Sequence, residues 1–457
     1  MGLEGLPPRA EARPSSDGNA SRLASGLVRQ RAACCKTRGW NLSATGFRIA
    51  LLAVLVLQVR SHASPSFARR PLHSNVTAHP LDPLEQCANE PQPPFTYGKI
   101  RMPSLHVEAI LKSARPRHTS DVTIITQCSV DRLYMLEAQC RSWSGLTSVA
   151  IYWPLFFFDP TNTEKLTTAI AETRAFHKRM EAEGACRLDM VVLSEVIKSS
   201  DTWSYPYNAL RNQALARAGS DVILAVDADF LVVPGLHEKL SGSDAAKALL
   251  EDLTMRRQVV VLPAFETDAA LGIDAGAQIA VKAQTGTKQQ LQQMYEARQV
   301  IQFAEFYPVG HRSTNYPKFF NSSTPYAVKF KTGYEPYILV SRRAMPWYDE
   351  RFRGYGWDKV MQLYQLDSMN FQFVVHPTAF VIHRPHIPSS GYNHTFTGEA
   401  YTKKHKPTDH LWKMERIAKD MMAELKSGTY PDIGVTTLSH CSASQTSSAA
   451  ARAVNWW

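Results

Sequence analysis

Long hydrophobic runs are scarce in this chain of 457 residues, and the single strongly apolar one, Ile49 to Val59 (IALLAVLVLQV), is short. A membrane span needs about 20 apolar residues. This stretch reaches bilayer thickness only if Leu42 to Phe47 join it and Arg48 extends its guanidinium to the headgroups. Acidic residues are almost missing from the N-terminal end, where Glu4, Glu11 and Asp17 stand against ten Arg and Lys36 in the first 70 positions. The net charge of +10 therefore belongs mostly to that end. A basic face spread over the remainder, and with it a nucleic-acid partner, is excluded on that ground. Internal repeats are absent as well. What is present, 44% hydrophobic and 10% aromatic residues, is enough for a large core and excludes a wholly disordered or fibrous chain.

The apolar run follows Arg29, Arg31, Lys36, Arg38 and Arg48. A basic tail this long suits a signal-anchor better than a cleaved signal peptide, with an organellar transit peptide as the second rival. The expected order is a cytosolic tail over 1–48, an anchor over 49–59, and a luminal remainder, because the basic side stays inside. Residues 60–118 carry Pro65, Pro71, Pro80, Pro83, Pro91, Pro93, Pro94, Pro103 and Pro116, which reads as an extended stem. Sequons at Asn75, Asn321 and Asn393 fit a luminal chain. Cys87, Cys128, Cys140, Cys186 and Cys441 would then allow two disulfides and one free thiol. The tail over 431–457, rich in Ser, Thr and Ala, reads as disordered.

Between 119 and 430 short apolar runs alternate with helical patterns, the signature of an α/β domain. The runs are Val122 to Thr126, Val149 to Trp153, Met190 to Leu193, Val222 to Val226 and Val259 to Leu262. Helical spacing predicts helices over 163–180, 207–218 and 409–425. Ser129 is expected to cap a further helix carrying Leu133, Leu136 and Cys140. Asp131 and Arg132 thereby fall at a strand's C-terminal end, where open α/β sheets bind ligands.

Two acids interrupt a buried strand where Val222–Val226 runs into Asp227-Ala228-Asp229. In extended chain, residues two apart share a side. Both carboxylates then face one point, and a hard divalent cation is the usual neutraliser of such a pair. A second strand, Ala379 to Ile382, is closed by His383-Arg384-Pro385-His386. His383 offers a third ligand, and an imidazole in the set favours Mn²⁺ over Mg²⁺. His386 is the alternative, as a ligand or a phosphate contact. Gly333-Tyr-Glu335-Pro-Tyr337 and Arg351-Phe-Arg-Gly-Tyr-Gly-Trp-Asp358-Lys359 place aromatics beside acids, a combination that suits a sugar. Glu335, Asp358 and Glu266 are the candidate general bases, in that order. Arg211 and Asn212, on a helix, are candidates for meeting a nucleotide.

TQCSVDRLYMLEAQCRSW, the LRN of 210–212, VDADFLVVPGL, VLPAFET, the run from Gly310 into TPYAV, GYEPYILV, YDERFRGYGWDKV and FVIHRPHIPS occur in an order that resembles glycosyltransferase family 49. That family holds the LARGE-type enzymes and a β-1,4-glucuronyltransferase. The resemblance covers 121 to about 390. It implies a single GT-A, Rossmann-like nucleotide-sugar transferase domain over 119–430, in a single-pass type II protein of the Golgi membrane. The implied reaction is inverting transfer of a sugar from a UDP-sugar, with glucuronic acid the expected sugar, to a glycan or glycoprotein acceptor, with Mn²⁺ as cofactor. By the same resemblance Asp227 and Asp229 match the family's Asp-x-Asp and His383 its C-terminal metal-binding His. Asp131, Arg132, Arg211 and Asn212, with Asp227, match its nucleotide side. Asp358 departs from the LARGE-type pattern, which has Asn there. No counterpart of the upstream transferase domain of LARGE precedes residue 119, so a single activity is expected. A catalytically inactive carbohydrate-binding or chaperone-like member of the same fold is the alternative. The Gln- and Ala-rich insert over 268–298 reads as helical and close to the acceptor.

Overall fold

The structure, a computed structural model, describes residues 105–116, 121–198, 204–389, 392 and 407–431, with two-residue strands at 96–97 and 100–101. The apolar run at 49–59, the basic tail, Asn75, Asn393, Cys87, Cys441 and the tail from 432 lie outside the described residues. Among the described residues no helix is long and apolar enough to cross a membrane.

The first half alternates as its apolar runs predict. It comprises β1 (His106–Leu111), β2 (Val122–Ser129), α1 (Leu133–Ser142), β3 (Leu146–Phe156), α2 (Asn162–Glu183), β4 (Arg187–Ile197), α3 (Tyr207–Arg217) and β5 (Val222–Ala225). β2 to β5 pair parallel, in the spatial order β5-β2-β3-β4. Their near-continuous apolar sequence follows from being covered on both faces: α3 packs on β2 and β3, and α2 on β3 and β4. α2 ends at Gly184, whose φ of 68° a residue without Cβ adopts at no steric cost.

Two details differ from expectation. β1 lies inside the segment read as stem, yet it pairs antiparallel with β4 and closes that edge of the sheet; its run HVEAIL is short and flanked by prolines, which hid it. Ser129 does not cap α1. A single 3₁₀ turn over Val130–Arg132 intervenes, and the Ser129 hydroxyl donates to Asp131 instead.

The second half builds another layer. It contains β6 (Phe230–Val232), α4 (Leu236–Ser241), α5 (Ser243–Thr254), β7 (Gln258–Leu262), β8 (Ala264–Thr267), α6 (Gly272–Thr285), α7 (Lys288–Glu296), β9 (Val300–Gln302) and α8 (Tyr316–Asn321). β10 (Tyr326–Val328), β11 (Tyr337–Ser341), α9 (Asp358–Ser368), β12 (Gln372–Val375), β13 (Val381–His383) and α10 (Pro407–Ser427) follow. The insert over 268–298 is helical as its composition predicts, forming α6 and α7.

β7, β10, β11 and β12 extend the first sheet to nine strands, in the order β10-β12-β7-β11-β5-β2-β3-β4-β1. β9, β8, β13 and β6 form a separate four-stranded sheet in that order. The chain passes from the large sheet to the small one three times: between β5 and β6, between β7 and β8, and between β12 and β13. Asp227 and Asp229 lie on the first of these crossings, and His383 ends β13, the strand that the third leads into.

Phe265 on β8 is fully buried within a ring cluster of Tyr295, Tyr316, Phe319, Phe320 and Phe380, centroids 5.2–6.1 Å away. Edge-to-face contacts of this kind add to the gain from burial alone. This cluster sets the small sheet against α7 and α8. On the far side, Cys140 of α1 and Cys186 just before β4 form a disulfide, and Cys128 is a buried free thiol. Burial pushes the Cys128 thiol well above its ordinary range, so it is an inert part of the core.

Candidate functional site

The loop from β5 to β6 is fixed by backbone and side chain. Val226 N–H donates to Ile125 O, Phe230 N–H to Asp227 O, and Arg384 N–H to Asp229 O at 2.8 Å. From α1 the fully buried Gln139 donates through Nε2 to both Asp227 O and Phe230 O, at 2.9 and 3.2 Å. The chain turns at 228–229 rather than staying extended, so the two carboxylates of the Asp-x-Asp have different neighbours.

Asp229 faces the histidines. Its Oδ2 lies 2.9 Å from His386 Nε2 and 3.5 Å from His383 Nε2, and the two ring nitrogens are 3.3 Å apart. One ligand atom from each of Asp229, His383 and His386 falls within 4.8 Å of the others. Asp229 Oδ1 is buried with no hydrogen-bond partner among the described residues. Burial works to raise the Asp229 carboxyl, and the hydrogen bonds and charge of the two histidines overcome it, holding it well below the usual range.

Asp227 faces cations. Lys359 Nζ and the Tyr337 hydroxyl donate to its Oδ2 at 2.8 and 2.9 Å, and Arg211 donates to its Oδ1 at 3.2 Å. Burial opposes ionisation here too, and Lys359 and Arg211 still keep the carboxyl below its ordinary value. Lys359, whose charge burial disfavours, is raised in turn by Asp227 and Glu335. Its Nζ also sits 4.5 Å over the Tyr337 ring and donates to the Tyr337 hydroxyl at 3.0 Å.

The three candidate bases differ in their bonding. Asp358 accepts from Arg211 at 2.6 Å, and Glu266 accepts the Ala304 N–H at 2.9 Å while lying opposite His383 across the β8–β13 pair. Glu335 precedes β11, with its backbone N–H bonded to Gly310 O, and among the described residues no hydrogen bond is made to its carboxylate. Burial pushes that carboxyl up to about 7, with Lys359 working the other way. A group poised there accepts and releases protons near neutrality. Gly310 makes room for it: a Cβ at that position would stand 3.2 Å from Glu335 Oε1.

The residues matched to the nucleotide side divide. Buried Arg132 reaches His386 Nδ1 at 3.0 Å, Ile387 O at 2.7 Å and the Tyr134 hydroxyl, while Asp131 is exposed beside it. Arg211 joins Asp227 to Asp358. Asn212 is fully buried, its amide spent on Tyr348 and Glu350. Those bonds make it a clamp between α3 and the 348–350 loop.

Sequence reasoning passed over Lys359, Tyr337, Gln139 and His311. His311 is 1% exposed, its two ring nitrogens have no partner among the described residues, and it packs between Phe303 and Tyr337. Burial lowers it to about 3, so the imidazole is neutral. Only its place in the Gly310 run pointed to it.

A family profile described as glycosyl-transferase for dystroglycan matches residues 121–198 and 167–420. Among curated relatives, the xylosyl- and glucuronyltransferase LARGE2 of Rattus norvegicus is 33% identical over 311 residues, 68% of this chain and 40% of that one. LARGE1 of Homo sapiens is 30% identical over 311 residues, 68% of this chain and 36% of the relative. The match thus spans well under half the length of these relatives. A solved structure titled crystal structure of GalNAc-T7 with UDP, GalNAc and Mn2+ aligns over 68% of this chain and 50% of that one, at 10% identity and a TM-score of 0.34, too distant to bear on the site. The matched span takes in the Asp-x-Asp loop, Glu335 and the His383–His386 strand end, and the chain belongs to this glycosyltransferase family, family 49.

Proposed function

We propose that the chain is an inverting glycosyltransferase of GT-A type that transfers a sugar from a UDP-sugar to a glycan acceptor. The observation that carries this reading is the Asp229, His383 and His386 cluster, with an orphaned carboxylate oxygen beside two imidazoles. One oxygen and two nitrogen donors suit Mn²⁺, and the unsatisfied Asp229 Oδ1 is the mark of a group built to meet a cation. When bound, Mn²⁺ would supply positive charge to offset the negative charge developing on the departing diphosphate.

The chain's own residues supply the rest. Glu335 accepts the proton of the acceptor hydroxyl as that oxygen bonds to the anomeric carbon and the bond from that carbon to the UDP oxygen breaks. Lys359, tied to Asp227 by 2.8 Å, adds fixed positive charge beside the reacting groups. The Ile387 carbonyl, 2.7 Å from His386 Nδ1, is placed to accept that N–H and leave Nε2 free for a cation, as outer-shell groups do for metal-binding histidines, and Arg132 donates to the same carbonyl.

Glucuronic acid is the proposed donor sugar, supported by the names of the LARGE relatives. Golgi placement, with 49–59 as anchor and 60–105 as stem, is proposed on the basic tail, and the Cys140–Cys186 disulfide supports an oxidising lumen. The experiment is a donor screen: purified protein, Mn²⁺ and a panel of UDP-sugars, with UDP release followed with and without xyloside and glucoside acceptors. Acceptor-stimulated release from one UDP-sugar, lost with chelator and in Asp229→Asn, is the expected outcome. Full activity of Asp229→Asn with Mn²⁺ present would sink the metal assignment.

A further inference from the structure

A groove of about 550 Å³ lies between the outer edge strands of the two sheets, with Gln302 of β9 on one wall and β10 on the other. Arg312, Lys318, Lys329 and Lys331 line it, all four exposed, and its lining contains no Asp or Glu. Among the described residues none of the four pairs with a carboxylate; Lys318 instead rests 4.5 Å over the Tyr326 ring. Arg298, by contrast, pairs with Glu305 at 2.7 Å. Because the chain beyond residue 70 is close to neutral overall, four unbalanced cations in one groove form a local concentration of charge with no counterpart in the composition of that part of the chain. Such a groove concentrates an anionic ligand.

The floor narrows the ligand class. The Tyr316 and Tyr326 hydroxyls are spent on Ala264 O and Thr314 O, and both rings are buried. They form rigid walls and leave no open pair of faces for stacked bases, which single-stranded nucleic acid needs. Gln302, Ser313 and the half-buried Tyr295 hydroxyl supply the neutral polar groups that suit sugar hydroxyls.

Both walls also run into the site. Gln302 is followed by Phe303, whose ring lies 5.3 Å from the His383 ring. Arg312 follows His311, and Lys331 O accepts from Tyr334 N–H one residue before Glu335. Both walls of the groove are thus continuous along the chain with segments of the site.

We infer that this groove binds an anionic oligosaccharide, a carboxylated, phosphorylated or sulfated stretch of the acceptor remote from the hydroxyl that reacts. The inference rests on the transferase reading for the word acceptor, and its test needs neither donor nor turnover. Purified full-length protein is titrated into fluorescently labelled polygalacturonate, heparin-derived and neutral xylan oligosaccharides of matched length, at low and high salt. The probe is bound about tenfold more tightly when anionic than when neutral, and Lys318→Glu/Lys329→Glu removes that difference, as expected from reversing two exposed charges. UDP binding of the same variant stays at the wild-type level, which shows that it is folded and separates a failure here from a failure of the transferase site. The ranking of polygalacturonate against heparin fragments names the charged group. Equal affinity for neutral and anionic sugars, or an unchanged affinity in the double variant, overturns the proposal. So does tighter, variant-sensitive binding of a single-stranded oligonucleotide or of phosphatidylserine-containing vesicles.

Discussion

Replacing Glu335 with Gln tests the site through two independent readouts. The folded carboxyl titrates at about 7 instead of 4.5 because burial disfavours its charge. A pKa unit corresponds to about 1.4 kcal/mol, so the ionised side chain is about 3 kcal/mol less favourable in the folded protein than in the unfolded chain. The raised value means that the folded state binds the proton more tightly. Stability is therefore highest below the unfolded value, declines as pH rises from about 4.5 to about 7, and is level above that. Gln carries no charge, so the gap between wild-type and Glu335→Gln unfolding free energies widens by about 3 kcal/mol between pH 4 and pH 8, in favour of the variant. Urea unfolding across that range measures it. Turnover moves the opposite way: wild-type kcat falls about tenfold per pH unit below 7, and Glu335→Gln loses at least about 100-fold at pH 7.5 while retaining UDP affinity. Parallel stability curves for the two proteins, or turnover within threefold of wild type, would refute both the burial argument and the role of the base.

Three further outcomes follow from the packing. Gly310→Ala brings a Cβ within 3.0 Å of the Tyr307 ring and 3.2 Å of Glu335 Oε1, and steady-state kinetics should show a lower kcat with UDP affinity intact; an unchanged kcat would show that the carboxylate is not held there. Phe265→Ala empties the centre of the ring cluster and should cost about 3–5 kcal/mol in denaturant unfolding. Removing the Cys140–Cys186 link, which closes a separation of 46 residues, should cost about 4 kcal/mol by loop entropy, read as a lower unfolding midpoint in Cys140→Ala/Cys186→Ala or under reductant.

The parts of the fold legible in sequence were those with local signals. β2 to β5 and β7 are apolar runs long enough to read, and α2, α3 and α10 keep helical spacing over many residues. The small sheet was not legible as a sheet, because β6, β9 and β13 have three residues each and their pairing is set by contacts far apart in sequence. At the site, Asp229 and His383 showed themselves as polar residues closing buried strands. Lys359 did not, since a lysine in a helix's first turn usually belongs to solvent; only the fold brings its ammonium to Asp227. Tyr337 reads in sequence only as an aromatic beside Glu335, because its hydroxyl partner lies 110 positions away. The divided surroundings of the two acids were hidden for a different reason: period-two alternation assumes extended chain, and the turn at 228–229 breaks it.

The three crossings between sheets give the protein a joint, and the working groups are mounted on opposite sides of it. Asp227, Tyr337 and Lys359 are bonded to one another beside the nine-stranded sheet, while His383 ends a strand of the four-stranded one and Asp229 O accepts from Arg384 just beyond it. A slip of one layer against the other therefore misaligns the chemistry while every helix and strand is still intact. Heat or mild denaturant should silence this protein before it unravels it, with the loss of turnover running ahead of the loss of far-ultraviolet circular dichroism.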